Sequence, residues 1–127
     1  MDKSALVIKI EYHYLFCSRY RRRVFDIKGT ERCFCKALKE VCGENGWTVL
    51  DVQCDGDTVR LTIYPDCASS PDKVVKFIKK HTSEALINSI ESLSKAQNVW
   101  TRNYIVSSSK ISEREAAAFI KKQKRRG

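Results

Sequence analysis

Toward residue 16 the chain alternates. Leu6, Ile8, Ile10, Tyr12, Tyr14 and Phe16 fall on one side of an extended strand, and Lys9, Glu11 and His13 on the other. Successive strand side chains point to opposite faces, so a period of two predicts a long strand over residues 6–16 with one buried face. A helix would scatter these residues around its axis. The chain therefore has to build a sheet and cover one side of it.

The rest of the sequence supplies the cover. Phe34, Leu38, Val41 and Cys42 recur at helical spacing over residues 30–44, with Thr30 as N-cap and Gly43 and Gly46 as the stop. Residues 47–54 predict a second strand. Asp55-Gly56 is a tight hairpin signal. Asp57 to Tyr64 follows as the third strand, with Val59, Leu61 and Ile63 on one face and Thr58, Arg60 and Thr62 on the other. A loop over 65–71 leads to a second helix over 71–91. Val74, Val75, Ile78, Ala85 and Leu86 share one of its sides, with Lys73, Lys76 and Lys80 roughly opposite. Residues 98–107, around Trp100, Tyr104 and Val106, predict a fourth strand. Ser112-Glu113-Arg114-Glu115 is a capping box that opens a last helix through Phe119, Ile120 and Gln123.

The order β-α-β-β-α-β-α is an α+β, split βαβ arrangement of the ferredoxin-like or RRM-like kind. It predicts an antiparallel sheet of four to five strands, helices on one face, and a further C-terminal helix. The other sheet face is expected to stay open. With 127 residues and no linker or repeat, residues 1–127 form a single domain.

Charge narrows the partner. There are 24 Lys and Arg against 15 Asp and Glu, a net charge of +9 and a pI of about 9.4. Such an excess suits a polyanion. No apolar run reaches the roughly 18 residues that cross a bilayer. Lys9 and Glu11 interrupt any signal-peptide core, which predicts a cytoplasmic protein with no membrane partner. Cys17, Cys33, Cys35, Cys42, Cys54 and Cys67 then read as free thiols, most of them small core residues. The one-residue gap of Cys33-Phe34-Cys35 is wrong for zinc. His13 and His81 read as structural, because neither stands in a catalytic motif beside a nucleophile. Tyr64 and Tyr104 read as sheet aromatics.

The positive charge gathers in three places. Arg19, Arg21, Arg22 and Arg23 surround Tyr20 in one turn, a mixture suited to phosphate contact and base stacking. Lys73, Lys76 and Lys80 form a stripe. Lys121 and Lys122 open a tail that continues to Arg126. Solubility alone explains one charged helix face. Three clusters on one small chain favour a nucleic acid.

Several segments, in order, resemble the single-tyrosine HUH transposases that move small bacterial insertion sequences as single-stranded DNA. They are Tyr12-His13-Tyr14-Leu15-Phe16-Cys17-Ser18-Arg19-Tyr20-Arg21-Arg22-Arg23-Val24-Phe25, then Asp55-Gly56-Asp57-Thr58-Val59-Arg60-Leu61, then Ser70 to Ser83, then Val99-Trp100-Thr101-Arg102-Asn103-Tyr104-Ile105-Val106-Ser107, and finally Ala118-Phe119-Ile120-Lys121-Lys122-Gln123. The resemblance implies DNA, single-stranded or hairpin, as partner, and a homodimer. It also implies a catalytic set. Two His one residue apart on a strand hold a divalent Mg or Mn ion that polarises the scissile phosphate. A Tyr on the last helix attacks that phosphate, and a Gln one turn later adds a ligand.

At the matching positions this chain carries Thr58-Val59-Arg60 in place of the His pair and Phe119 in place of the Tyr. Arg has no lone pair for a cation, and Phe has no hydroxyl. Only Gln123 is retained. The expectation is a transposase-like, inactive homologue that binds DNA without cutting it. No catalytic residue and no metal ligand is expected, and no cofactor, with a divalent ion only if activity is retained. The expected DNA-binding residues are Arg19, Tyr20, Arg21, Arg22, Arg23, Arg60, Lys73, Lys76, Lys80, Lys121 and Lys122. Arg60 would touch a phosphate where the metal once sat. The alternatives are an active but diverged transposase with relocated catalytic groups, and a protein-interaction module. RNA is the alternative nucleic acid.

Overall fold

The computed structural model describes residues 10–66 and 69–123. Leu6, Ile8, Cys67 and the tail beyond Gln123 lie outside the described residues. Strand β1 (Tyr12–Cys17), helix α1 (Thr30–Asn45), strands β2 (Thr48–Asp55) and β3 (Thr58–Tyr64), helix α2 (Pro71–Ser89), strand β4 (Ile105–Ser107) and helix α3 (Glu113–Gln123) follow one another. The strands form one antiparallel sheet in the order β2-β3-β1-β4.

β1 begins later than its alternation suggests. Its first residue, Tyr12, pairs with Ile63, one position before β3 ends at Tyr64. Pro65, opposite Ile10 in this register, has no N–H to extend the ladder further. Tyr14 and Phe16 face inward with Val59, Leu61 and Ile63. Against them pack Phe34, Leu38, Val41 and Cys42 of α1 and Val74, Val75, Ile78 and Leu86 of α2. Both hydroxyls at the start of β1 are satisfied: Tyr12 donates to the Ser69 carbonyl at 2.8 Å and Tyr14 to the Pro71 carbonyl at 2.7 Å.

The helix ends are set locally. Gly29, in the left-handed region at φ 89°, is the N-cap of α1. The expected cap, Thr30, is instead its first residue and fully buried. Gly43 lies inside the helix, and Gly46, at φ 75°, ends it, with the Trp47 N–H donating back to the Cys42 carbonyl at 2.9 Å. Ser70 caps α2 by accepting from the Lys73 N–H, and Pro71 occupies the first turn. In the capping box of α3, Ser112 Oγ accepts from the Glu115 N–H at 3.1 Å, and Glu115 Oε1 accepts from the Ser112 N–H at 3.2 Å.

Two expectations are corrected. The fourth strand is three residues long and does not extend from 98 to 107. Residues 99–101 do follow the end of β1: Arg19 N–H donates to Val99 O and Thr101 N–H to Cys17 O. The Thr101 and Arg102 carbonyls then turn to the Lys79 ammonium, at 2.6 and 3.2 Å, which takes the backbone off the sheet. The second correction concerns the sheet face expected to be open. α3 covers part of it. Leu15, fully buried between His13 and Cys17 on that face, packs with Ile111 and Ala116 and against Phe119 and Ile120. Among the described residues no helix is long and apolar enough to cross a membrane.

Burial pushes the Cys17 thiol up to about 11 and the Cys42 thiol up to about 12. The thiolate is the reactive form, so both are inert near neutral pH. Iodoacetamide at pH 7 will leave Cys17 and Cys42 unmodified in the folded protein and alkylate both in denaturant. Peptide mass spectrometry reads this directly, and native labelling of either would mean that the core opens.

Candidate functional site

The basic turn follows directly from β1. Tyr20 and Arg21 both lie in the left-handed region, at φ 59° and 53°. Non-glycine residues held there cost of order 1–3 kcal/mol each and persist where their surroundings over-determine them. Here the surroundings are the tip of the β2–β3 hairpin. Ser18 N–H donates to Asp57 O and Phe25 N–H to Gly56 O, each at 2.9 Å. The Arg21 guanidinium pairs with the buried Asp57 carboxylate and donates through Nη1 to the Ile120 carbonyl at 3.2 Å. Gly56 lies in the left-handed region at φ 58°, which favours glycine, while the exposed Arg23 guanidinium, 2.8 Å from where a Cβ would be, is a flexible end that can swing aside.

The five residues of the turn thereby divide. Arg21 is matched by Asp57 and Arg23 by Asp26 at 2.7 Å. Tyr20 projects outward, 76% exposed, with the Arg19 guanidinium 5.7 Å from its ring centroid. Arg22 reaches across to the Ser92 carbonyl at 2.9 Å and keeps its charge without a carboxylate partner in that bond. Arg19, Tyr20 and Arg22 are thus the group the turn presents.

On α2, Lys73, Lys76 and Lys80 are exposed as expected from their spacing. Lys76 pairs with Asp72 at 2.9 Å, and the Lys73 ammonium lies 5.7 Å from the Phe77 ring. Sequence reasoning missed Lys79, one residue off the stripe. Besides its two backbone carbonyls it lies 5.7 Å from the Phe16 ring and 5.6 Å from the Tyr104 ring. Burial pulls its ammonium down to about 8, with Asp72 opposing that shift.

α2 and residues 97–104 enclose a cleft of about 650 Å³. The fold brings Arg19 from the turn to the same cleft as Lys76 and Lys80 from the stripe, and adds Lys79, Arg102 and Gln123. Lys121 and Lys122 are exposed on α3 and do not line it.

Thr58 and Arg60, which the resemblance sets against a His pair, lie on the sheet face under α3, and Phe119, set against the Tyr, lies on α3 itself. Cys17 pairs with Thr58 and Leu15 with Arg60. Arg60 makes a bidentate pair with Glu113, the first residue of α3, at 3.0 and 3.1 Å. Thr58 Oγ1 donates to the Asp55 carbonyl at 3.0 Å. Phe119 is half-buried against the Leu15 cluster. Gln123 is buried in the cleft and stands about 15 Å along the helix axis from Glu113. These residues do not fit a divalent ion. A guanidinium and a lone hydroxyl stand at the two sheet positions, and the Gln123 amide lines a cleft rich in cations. Among the described residues no three His, Cys, Asp or Glu side chains gather as a ligand set.

The other candidates are occupied by neighbours. Tyr104 donates to Asp72 Oδ1 at 2.7 Å, and burial, followed by that bond, pushes its hydroxyl up to about 12. His13 lies 3.3 Å from Thr62 Oγ1 and 3.2 Å from Glu11, and His81 lies 3.4 Å from Glu40.

Comparison with known proteins agrees with this geometry. The family model described as "Transposase IS200 like" matches residues 6–123. A crystal structure of a proposed transposase from Deinococcus radiodurans R1 superposes with a TM-score of 0.80 at 21% identity, covering 97% of each chain. A REP-associated tyrosine transposase bound to a REP hairpin superposes with a TM-score of 0.62 at 11% identity, covering 89% of this chain and 64% of that one. No curated protein matches.

Proposed function

This chain belongs to the IS200-like transposase family, and from that premise we propose that it binds single-stranded or hairpin DNA without cleaving it. The observation that carries the reading is the bidentate Arg60–Glu113 pair. It fills, with a cation and its own counter-charge, the sheet position where the family keeps its metal-binding His. Phe119, in place of the attacking Tyr, has no atom that can form a phosphodiester. The hairpin held by the REP-associated relative gives the class of DNA to try first. Tyr20, Arg19 and Arg22 supply a stacking ring between cations, which is the chemistry of a single-strand platform. Tyr104 is a poor substitute nucleophile, because its hydroxyl is held by Asp72 and is harder to ionise than an ordinary phenol. The same reading carries a homodimer, from the family, and a cytoplasmic location.

The test combines two assays on one set of imperfect-palindrome hairpins. A mobility-shift assay will show retention of hairpin DNA. Denaturing electrophoresis after incubation with Mg²⁺ or Mn²⁺ will show no covalent protein–DNA adduct. An adduct overturns the non-cleaving reading. Failure to retain any hairpin, with or without single-stranded flanks, overturns the DNA reading. Light scattering in solution decides the dimer.

A further inference from the structure

We propose that the cleft between α2 and residues 97–104 is a pocket for one nucleotide, its phosphate on the cations of the rim and its base against the Gln123 amide. The volume, about 650 Å³, lies within the range of pockets that hold small ligands. Arg19, Lys76, Lys80 and Arg102 line it against one carboxylate, Glu84, so the rim favours an anion. Lys76 is partly matched by Asp72. Of the apolar residues around the cleft, Val75 and Trp100 are buried behind its wall and Ile87 is half-buried, so Ile87 is the one that can meet the face of a base.

Two buried polar atoms carry the argument further than charge does. Gln123 is 3% exposed, lines the cleft, and its Oε1 has no hydrogen-bond partner among the described residues. Arg19 lines the same cleft, and its Nε is buried and equally unpartnered. Buried polar groups are nearly always satisfied, and exceptions ask for a missing partner. One orphan accepts and the other donates. A phosphodiester offers only acceptors and can satisfy Arg19 alone. A nucleotide offers phosphate oxygens for Arg19 and a base N–H for Gln123, so it satisfies both once the two side chains turn these buried atoms into the cleft. Lys79 bears on the same ligand: its ammonium lines the cleft partly desolvated, and an anion beside it favours the charged form that burial disfavours.

The inference rests on the nucleic-acid reading for the biological source of the nucleotide, and the two fail separately. The protein has two Trp. Trp100 lines the cleft, while Trp47 bonds Ser69 elsewhere. The indole N–H resonances of the full-length ¹⁵N-labelled protein therefore give a reporter and an internal control, assigned with Trp47→Phe. The probes are the four deoxynucleoside 5′-monophosphates, inorganic phosphate, and hairpin DNA with and without an unpaired flank. A mononucleotide is expected to move the Trp100 signal saturably in the millimolar range and leave Trp47 in place, while inorganic phosphate does not saturate. Gln123→Leu is expected to weaken the mononucleotide about tenfold. Arg102→Ala, at an exposed residue, weakens it without disturbing the core. A Trp100 response to the flanked hairpin but not the blunt one identifies the nucleotide as part of a strand. A response to mononucleotides alone identifies it as free. A Trp100 signal that neither moves overturns the pocket, as does inorganic phosphate matching the nucleotides. Trp100 responding to mononucleotides while no hairpin is retained overturns the DNA reading and leaves the pocket standing.

Discussion

Trp100→Ala will lower the free energy of unfolding by about 3–5 kcal/mol, the usual cost of emptying a large aromatic site in a core. Domains are stable by only about 5–15 kcal/mol, so this is roughly a third to a half of the whole for an ordinary domain of about 10 kcal/mol. The size of the effect follows from what the ring touches. It is 1% exposed. Phe16 and Phe34 meet it edge-on at 5.1 and 5.6 Å, and Phe25 stacks on it at 5.9 Å. These contacts join β1, α1 and the turn after β1, so no single element can move in to fill the space. The indole N–H donates to Thr82 Oγ1 at 3.0 Å, and truncation leaves that hydroxyl with one bond fewer in a buried place. Urea titration followed by circular dichroism measures the change. Tyr20→Ala, at the exposed tip of the turn, is the control and will leave the midpoint nearly unchanged. Equal midpoints for Trp100→Ala and the parent chain would contradict this account of the core.

Hairpin affinity will fall by about two to three orders of magnitude between roughly 50 and 200 mM monovalent salt. Of the ten cations expected at the DNA, Arg21, Arg23, Arg60 and Lys76 are ion-paired, and six have no ion-pair partner among the described residues: Arg19, Arg22, Lys73, Lys80, Lys121 and Lys122. If each neutralises one phosphate, the logarithmic slope is about −4 on a single strand and about −5 on duplex. Arg19→Ala with Arg22→Ala will flatten the single-strand slope by about 1.4. Tyr20→Ala acts differently. Loss of one stacked base costs about 1–3 kcal/mol of binding and leaves the slope alone, because stacking releases no counterions. Filter binding over a salt series separates these two behaviours. Affinity that does not change with salt would contradict the phosphate contacts, and a flattened slope for Tyr20→Ala would contradict the stacking role.

Local pattern made much of the architecture legible. The alternation of β1, the apolar stripes of α1 and α2, the Asp55-Gly56 turn and the Ser112 capping box each depend on residues within a few positions of one another. What was not legible depends on distant partners. By parity Leu15 falls on the polar side of β1 with His13, and nothing near it in sequence marks it as buried, because its cover, Ile111 and Ala116, comes some hundred residues later in the chain. β4 was overextended because Trp100 and Tyr104 suit a strand, and only the Lys79 ammonium, from another layer, draws the intervening carbonyls away. At the site, residue types predicted which arginines cluster but not which ones are matched by carboxylates. Arg21 and Asp57 are 36 positions apart, and Arg60 and Glu113 are 53 apart. Gln123 stood out in the sequence as a retained ligand position, yet its burial beside Arg19 arises from where α3 ends.

Besides its apolar contact with Leu15, α3 is tied at both ends by arginines, one on β3 and one in the turn after β1. Arg60 grips the carboxylate of its first residue and Arg21 the carbonyl of Ile120 near its last turn. The helix itself is acidic at its start, Glu113 and Glu115, and basic at its end, Lys121 and Lys122, as its macrodipole favours. α1 and α2 are attached to the opposite face chiefly by apolar burial. Ionic strength therefore acts unequally on the two sides of the sheet: it loosens the electrostatic clasp on one and leaves the hydrophobic weld on the other.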